Sequence, residues 1–327
     1  MTANKRRKNK IAAEMESSGT NYLRAARNTT SALKDPVNLT WSPGVNQITG
    51  KKYADDFSRG LPHLSIVGGL SHSLVLQDVV FQLIQSNSSK DVQFRIIDSS
   101  YTHPTKSMKP YLSAFEGAPH ISHYLVSDAH IEGGDTTSDD SPSQKILNML
   151  EDLAVLQGQR ANAFNNHPRT PKSLEQARAI AVQECAESGM PLEDHPLYLP
   201  YVFLTVHDLA NISAFEFNGM GDSFQVRFYN IMNYFRRTGA AFGIYIISGS
   251  SRLQDVAAQH MTRMARYVFL NLSEKSSMQV AGDNSLTGMH LEEVVVRRWS
   301  QDSPGLRLTR TASRTPAEQE KMVRSSQ

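Results

Sequence analysis

From Leu61 onward, short apolar runs alternate with longer amphipathic stretches. The apolar runs predict strands over 64–67, 92–97, 123–126, 201–206, 244–247 and 267–270. The stretches between them predict helices over 73–85, 143–162, 174–187, 224–237 and 253–264. Within 73–85, Leu76, Val79, Val80, Leu83 and Ile84 recur at helical spacing and share one face. Strands and helices taking turns in this way indicate βαβ units on a parallel sheet. Two segments read as insertions: residues 133–143, acidic and rich in Gly, Ser and Thr, and residues 165–196, which carry a helix of their own.

The ends of the chain lack this rhythm. Residues 1–47 read as a polar extension with a short helix near 22–27, followed by a lead-in punctuated by Pro36, Pro43, Gly44 and Gly50. Residues 48–303 carry the α/β pattern. Residues 304–327, rich in Arg, Thr and Ser, read as a loose tail.

Composition narrows the class without naming a partner. The 327 residues are 39% hydrophobic and 20% charged, as expected of a globular protein, and the net charge of +2 argues neither for nor against a polyanion partner. One basic run, Lys5-Arg6-Arg7-Lys8-Asn9-Lys10, suits nucleic acid or an anionic membrane, and equally a solvated tail. A single cysteine, Cys185, rules out an intrachain disulfide and fits a cytosolic compartment. No stretch approaches the ~20 apolar residues of a membrane span, so membrane contact is expected only through another chain.

The first predicted strand runs into Gly68-Gly69-Leu70-Ser71-His72-Ser73-Leu74-Val75, where a strand-to-helix phosphate loop belongs. A working loop, G-x-x-x-x-G-K-[ST], cradles phosphates on backbone N–H groups, reaches the β/γ-phosphates with Lys and ligates Mg²⁺ with Ser/Thr. Gly68 takes the first position, but Ser73, Leu74 and Val75 stand at the second Gly, the Lys and the Ser/Thr. A second segment, Leu199-Pro200-Tyr201-Val202-Phe203-Leu204-Thr205-Val206-His207-Asp208, is an apolar strand ending where an ATPase keeps two carboxylates. Here only Asp208 is acidic, and capping a following helix explains it equally well. The scattered histidines, His120, His123 and His130 among them, give no strict metal spacing, and no metal site is expected. Ser71-His72-Ser73 pairs hydroxyls with a base in sequence, but no acid or oxyanion pattern accompanies it.

These segments, in order, resemble the FtsK/SpoIIIE branch of the FtsK–HerA DNA-translocase ATPases. The resemblance runs from Ile48-Thr49-Gly50 through Pro62-His63-Leu64, the strand ending Ile96-Ile97-Asp98, and Leu199-Pro200-Tyr201. It continues through Gly239-Ala240-Ala241-Phe242-Gly243 to Gly249-Ser250-Ser251-Arg252 and Arg266-Tyr267-Val268-Phe269. It covers roughly residues 48–300 by strand order, and no single motif is intact. It implies a RecA-like P-loop NTPase fold, a three-layer α/β sandwich with a mostly parallel central sheet.

Carried over residue by residue, the resemblance places the Mg²⁺-binding Asp on His207 and the catalytic Glu on Asp208. The family's Lys falls on Leu74 and its Ser/Thr on Val75, while Arg252 and Arg266 match arginines able to act on a neighbouring subunit's nucleotide. It implies ring partners of the same kind, double-stranded DNA as a substrate, and ATP with Mg²⁺ as cofactors. The substitutions turn this towards a pseudo-ATPase, a non-hydrolysing or weakly nucleotide-binding subunit in a cytoplasmic assembly for DNA transfer, segregation or secretion. The alternative is an active translocase with divergent motifs.

Overall fold

The computed structural model describes residues 37–58, 61–69, 72–99, 112–126, 142–209, 212, 221–251, 265–281, 283–290, 292–298 and 305–310. Each predicted strand is present: β4 (His63–Val67), β5 (Val92–Asp98), β6 (Ile121–Val126), β7 (Tyr201–His207), β8 (Ile244–Ser250) and β9 (Ala265–Phe269). They form one parallel array in the order β9-β4-β8-β7-β5-β6. Four predicted helices also stand: α1 (His72–Ser86), α2 (Pro142–Asn166), α3 (Leu174–Ser188) and α4 (Gly221–Thr238). The helix expected over 253–264 lies outside the described residues.

Alternation along the strands builds two cores. Tyr201 and Phe203 of β7 face one side with Val75, Leu76 and Val79 of α1 and Ala177 and Ala181 of α3. Val202, Leu204 and Val206 face the other with Leu150 and Leu153 of α2 and Phe228 and Met232 of α4. A sheet buried on both faces needs apolar residues at successive positions, which is why β7 reads as a continuous run. The result is a three-layer α/β sandwich.

The ends of the chain contribute more than expected. β1 (Thr40–Trp41) pairs with β3 (Asp55–Asp56). β10 (Glu293–Arg298) runs antiparallel to β9, β11 (Leu306–Thr309) to β10, and β2 (Val45–Asn46) to β11. Residues 40–41, 45–46 and 306–309 thus take part in the sheets. The reason is burial: Trp41 and Leu308 are withdrawn from solvent. A further short helix, α5 (Glu274–Ala281), follows β9.

The insertion over 165–196 is anchored. Ser173 caps α3 by accepting from the Gln176 N–H, and Gly189 closes it in the left-handed region. Arg178, 0% exposed, donates to the Leu199 carbonyl at 2.8 Å and to Asp91 Oδ1 at 2.6 Å, with its guanidinium 3.8 Å over the Tyr198 ring. Burial alone would raise the Asp91 carboxyl, but hydrogen bonds from Ser88, Tyr198 and Arg178 hold it below its ordinary value. Arg160 of α2 similarly donates to the Pro200 and Phe242 carbonyls, tying the entering ends of β7 and β8.

His63 opens the central strand as a neutral histidine. Its Nδ1 accepts from the Ile246 N–H and its Nε2–H donates to the Arg236 carbonyl, which settles the tautomer. Burial pushes its pKa down to about 4, against the Arg236 carbonyl and helped by the Arg236 charge.

Two stability experiments follow. Removing the Arg178 guanidinium leaves Asp91 without its cation, so Arg178→Ala should cost about 3–5 kcal/mol in urea unfolding at pH 7. A folded pKa below the unfolded value means neutral His63 stabilises fully above about pH 6.5 and progressively less as pH falls towards 4. Each pH unit in that window removes about 1.4 kcal/mol, so unfolding should show a slope that His63→Gln flattens.

Candidate functional site

The carboxyl ends of β4, β5, β7 and β8 converge on one group of polar side chains. Its placement begins with the turn after β4. Gly68 has φ +124° and Gly69 φ +47°, and the Gly68 N–H donates to the Ser250 carbonyl at 3.0 Å. A Cβ on Gly68 would lie 3.0 Å from Leu272 Cδ2 and 3.1 Å from the Asn271 carbonyl oxygen, so the turn needs glycine on two grounds. α1 then begins at His72, and Leu70 and Ser71 lie outside the described residues.

α1 crosses β8 at very short range. Gly249 makes this approach possible, because a Cβ there would sit 2.8 Å from His72 Cδ2. His72 Nδ1–H donates to the Gly69 carbonyl at 2.5 Å, and its ring stacks on that of His207 with centroids 5.3 Å apart. Burial pushes the His72 imidazole below its ordinary pKa. The Gly69 bond opposes this, the His207 ring adds to it, and Asp208 opposes it.

The close crossing carries the next residue, Ser73, to the end of β7. Ser73 Oγ lies 2.8 Å from His207 Nε2. On the far side of the ring, His207 Nδ1 is 3.0 Å from Asp98 Oδ1, an ion-pair distance without a well-aligned hydrogen bond. Asp98 and His207 are register partners on β5 and β7. Asp98 Oδ2 accepts from the Leu112 N–H at 2.8 Å and from the Tyr124 hydroxyl at 2.9 Å. Tyr124 is held protonated, its pKa raised by burial and by the Asp98 charge. The Asp98 carboxylate beside Nδ1 favours the tautomer with the proton on that nitrogen, in which Nε2 accepts from the Ser73 hydroxyl.

The remaining predicted residues fall around this chain of contacts. Asp208 takes φ +47°, a left-handed conformation unusual for a residue with a side chain. The Ser99 hydroxyl donates to the carbonyls of His207 and Asp208 and steadies that turn. The Asp208 carboxylate accepts from the Ser251 N–H at 3.3 Å and from the Ser251 hydroxyl at 3.0 Å. It thus joins β7 to the end of β8 and serves a link between strands. Val75 is buried in the core, whereas Leu74 projects outward, 37% exposed.

Arg266 stands elsewhere. It is register partner to Leu64 near the entering end of β9, buried, with Nε 2.7 Å from Asp55 Oδ2 and Nη2 donating to the Asp56 carbonyl. Arg252 lies outside the described residues. The sequence reading assigned no role to Asp98, Tyr124 and Ser99. The available signal was a carboxylate ending the apolar run 92–97, the usual position for site residues in a parallel sheet.

Among the described residues the donor set does not fit Mg²⁺, which demands near-octahedral oxygen ligation. Val75 offers no oxygen, and His207 presents a nitrogen already engaged by Ser73. The single carboxylate of the β7 end is bound to Ser251. No cluster of metal-ligating side chains occurs among the described residues, and no helix there is long and apolar enough to cross a membrane.

No family model matches the chain, and no curated protein does. Solved structures do. ATPases 2 and 3 of EccC from Thermomonospora curvata, in complex with a signal sequence peptide, align at TM-score 0.61 and 15% identity over 89% of this chain and 48% of that one. The cytoplasmic domain of the same organism's Type VII secretion ATPase EccC aligns at TM-score 0.60 and 15% identity, over 86% of this chain and 30% of that one. The pCW3 conjugation coupling protein TcpA aligns at TM-score 0.56 and 11% identity, over 89% and 72%. The chain spans less than half the length of the EccC structures. At these identities the likeness establishes the fold: this is a P-loop ATPase domain fold with a mostly parallel central sheet.

The close crossing at Gly249 is testable. Gly249→Ala should push the His72 ring from its seat and destabilise the protein by about 1–3 kcal/mol in urea unfolding. An alanine there that left stability unchanged would show that α1 does not depend on this approach.

Proposed function

We propose that this chain is a motor-fold subunit that does not turn over ATP and acts instead on an active ATPase partner, in an assembly for secretion, DNA transfer or segregation. The observation that carries this reading is the Ser73–His207 hydrogen bond, which joins two corners of the expected nucleotide site directly. Three further features support it: Leu74 in place of Lys, Val75 in the core, and Asp208 engaged by Ser251. Phosphoryl transfer relies on positioning and electrostatic stabilisation, and among the described residues the loop and β7 positions that would supply the cation and the metal-binding oxygens hold Leu74, Val75 and His207. Solved structures of like fold are named as a Type VII secretion ATPase and a conjugation coupling protein, which supports the kind of assembly.

Arg266 is held by Asp55 and the Asp56 carbonyl, so a trans-acting arginine of this chain would be Arg252. Purified protein with millimolar ATP and double-stranded DNA should hydrolyse no more than the buffer control. Added to an FtsK-like ATPase from the same cell, it should co-purify and change that enzyme's rate, and Arg252→Ala should abolish the change. DNA-stimulated hydrolysis by the chain alone would instead establish an active translocase. Absence of both co-purification and a rate change would overturn the partner role.

A further inference from the structure

The contacts that close the nucleotide site have the form of a different catalytic device. The geometry points to Ser73, His207 and Asp98 as an acyl-transfer site for small uncharged esters, with Ser73 as nucleophile and His207 as its base. Ser73 Oγ is 2.8 Å from His207 Nε2, within nucleophile–base hydrogen-bond reach, and His207 Nδ1 is 3.0 Å from Asp98 Oδ1, an ion-pair distance that becomes a triad contact once the ring turns to align its N–H. Asp98 is a positioning residue: the Leu112 N–H and the Tyr124 hydroxyl hold it where it keeps the imidazole's proton on Nδ1. The three groups come from α1, β7 and β5, so the constellation is made by the fold and has no contiguous sequence motif.

The neighbourhood selects the substrate class. Ser73 lies in the first turn of α1, where backbone N–H groups have no intrahelical acceptor and can receive an oxyanion. Leu74, the next residue, is the partly exposed side chain at this point and is apolar. It stands where a phosphate loop keeps its lysine, so an ester with an apolar acyl group suits the position better than an anion. Ser73 is 1% exposed and His207 2%, which makes slow turnover the expectation.

The steps balance without a cofactor. The Ser73 hydroxyl proton passes to His207 Nε2 as Oγ bonds the ester carbonyl carbon. Collapse of the tetrahedral intermediate breaks the bond to the alcohol oxygen, which leaves with that proton. Water, deprotonated by the same nitrogen, then releases the carboxylic acid and restores Ser73.

A fluorophosphonate probe tests this on the intact chain, since Oγ displaces fluoride and the adduct can be mapped by mass spectrometry. The expected result is an adduct on Ser73 that is absent in Ser73→Ala and in His207→Gln, together with slow hydrolysis of p-nitrophenyl acetate that Ser73→Ala removes. Asp98→Asn should slow labelling at least about tenfold and lower the pH of half-maximal labelling, which a purely structural carboxylate would not do. Urea unfolding of each variant separates lost chemistry from lost folding. A folded wild-type protein that gives no Ser73 adduct overturns the assignment, as does labelling unchanged in His207→Gln. Neither outcome bears on nucleotide binding, so this inference and the proposed function fail separately.

Discussion

The carboxyl edge of this sheet is organised around the direction in which the His207 ring points. The ring leaves the end of β7, reaches Ser73 on one side and Asp98 on the other, and stacks beneath His72. A buried imidazole nitrogen left without a partner costs about 1–3 kcal/mol, and the Ser73 hydroxyl supplies one at Nε2. Meeting that need draws the start of α1 over β8, and this demands the glycine at 249. The same contact engages Ser73 and His207 with each other. One residue's hydrogen-bonding requirement thus links the local backbone, the packing of α1 and the chemistry available at the edge.

The rest of the fold makes this arrangement rigid. Two apolar layers hold the central strands from both faces, and neutral His63 joins the entering end of β4 to β8 and to the end of α4. Buried arginines act as ties at that end of the molecule: Arg160 for β7 and β8, Arg178 for the inserted helix, Arg266 for the β1–β3 pair. Each meets backbone carbonyls or carboxylates, as a buried guanidinium must. Arg266 is tied in this way to Asp55 and to the Asp56 carbonyl.

Much of this was legible in the sequence, for identifiable reasons. The six parallel strands were recovered because strands buried on both faces are unbroken apolar runs, and α1 because Leu76, Val79, Val80, Leu83 and Ile84 all face the core. β10 and β11 were not, since four-residue Leu306–Thr309 has only two apolar positions and gains its meaning from pairing with residues far away in the chain. At the site, the residues at Leu74, Val75 and His207 could be read one by one against the expected loop and strand pattern. Their consequence could not, because the hydrogen bond joining Ser73 to His207 spans 134 positions and depends on a glycine elsewhere. Asp98 was visible as a strand-ending carboxylate, but its partner only became apparent from the β5–β7 register.

The central claim is that His207 and Ser73 close the site that a nucleotide would otherwise occupy. Isothermal titration of Mg·ATP into the purified chain addresses it most directly. The account predicts no saturable heat up to millimolar nucleotide. Saturable binding in the micromolar range, lost on removing Mg²⁺, would contradict it.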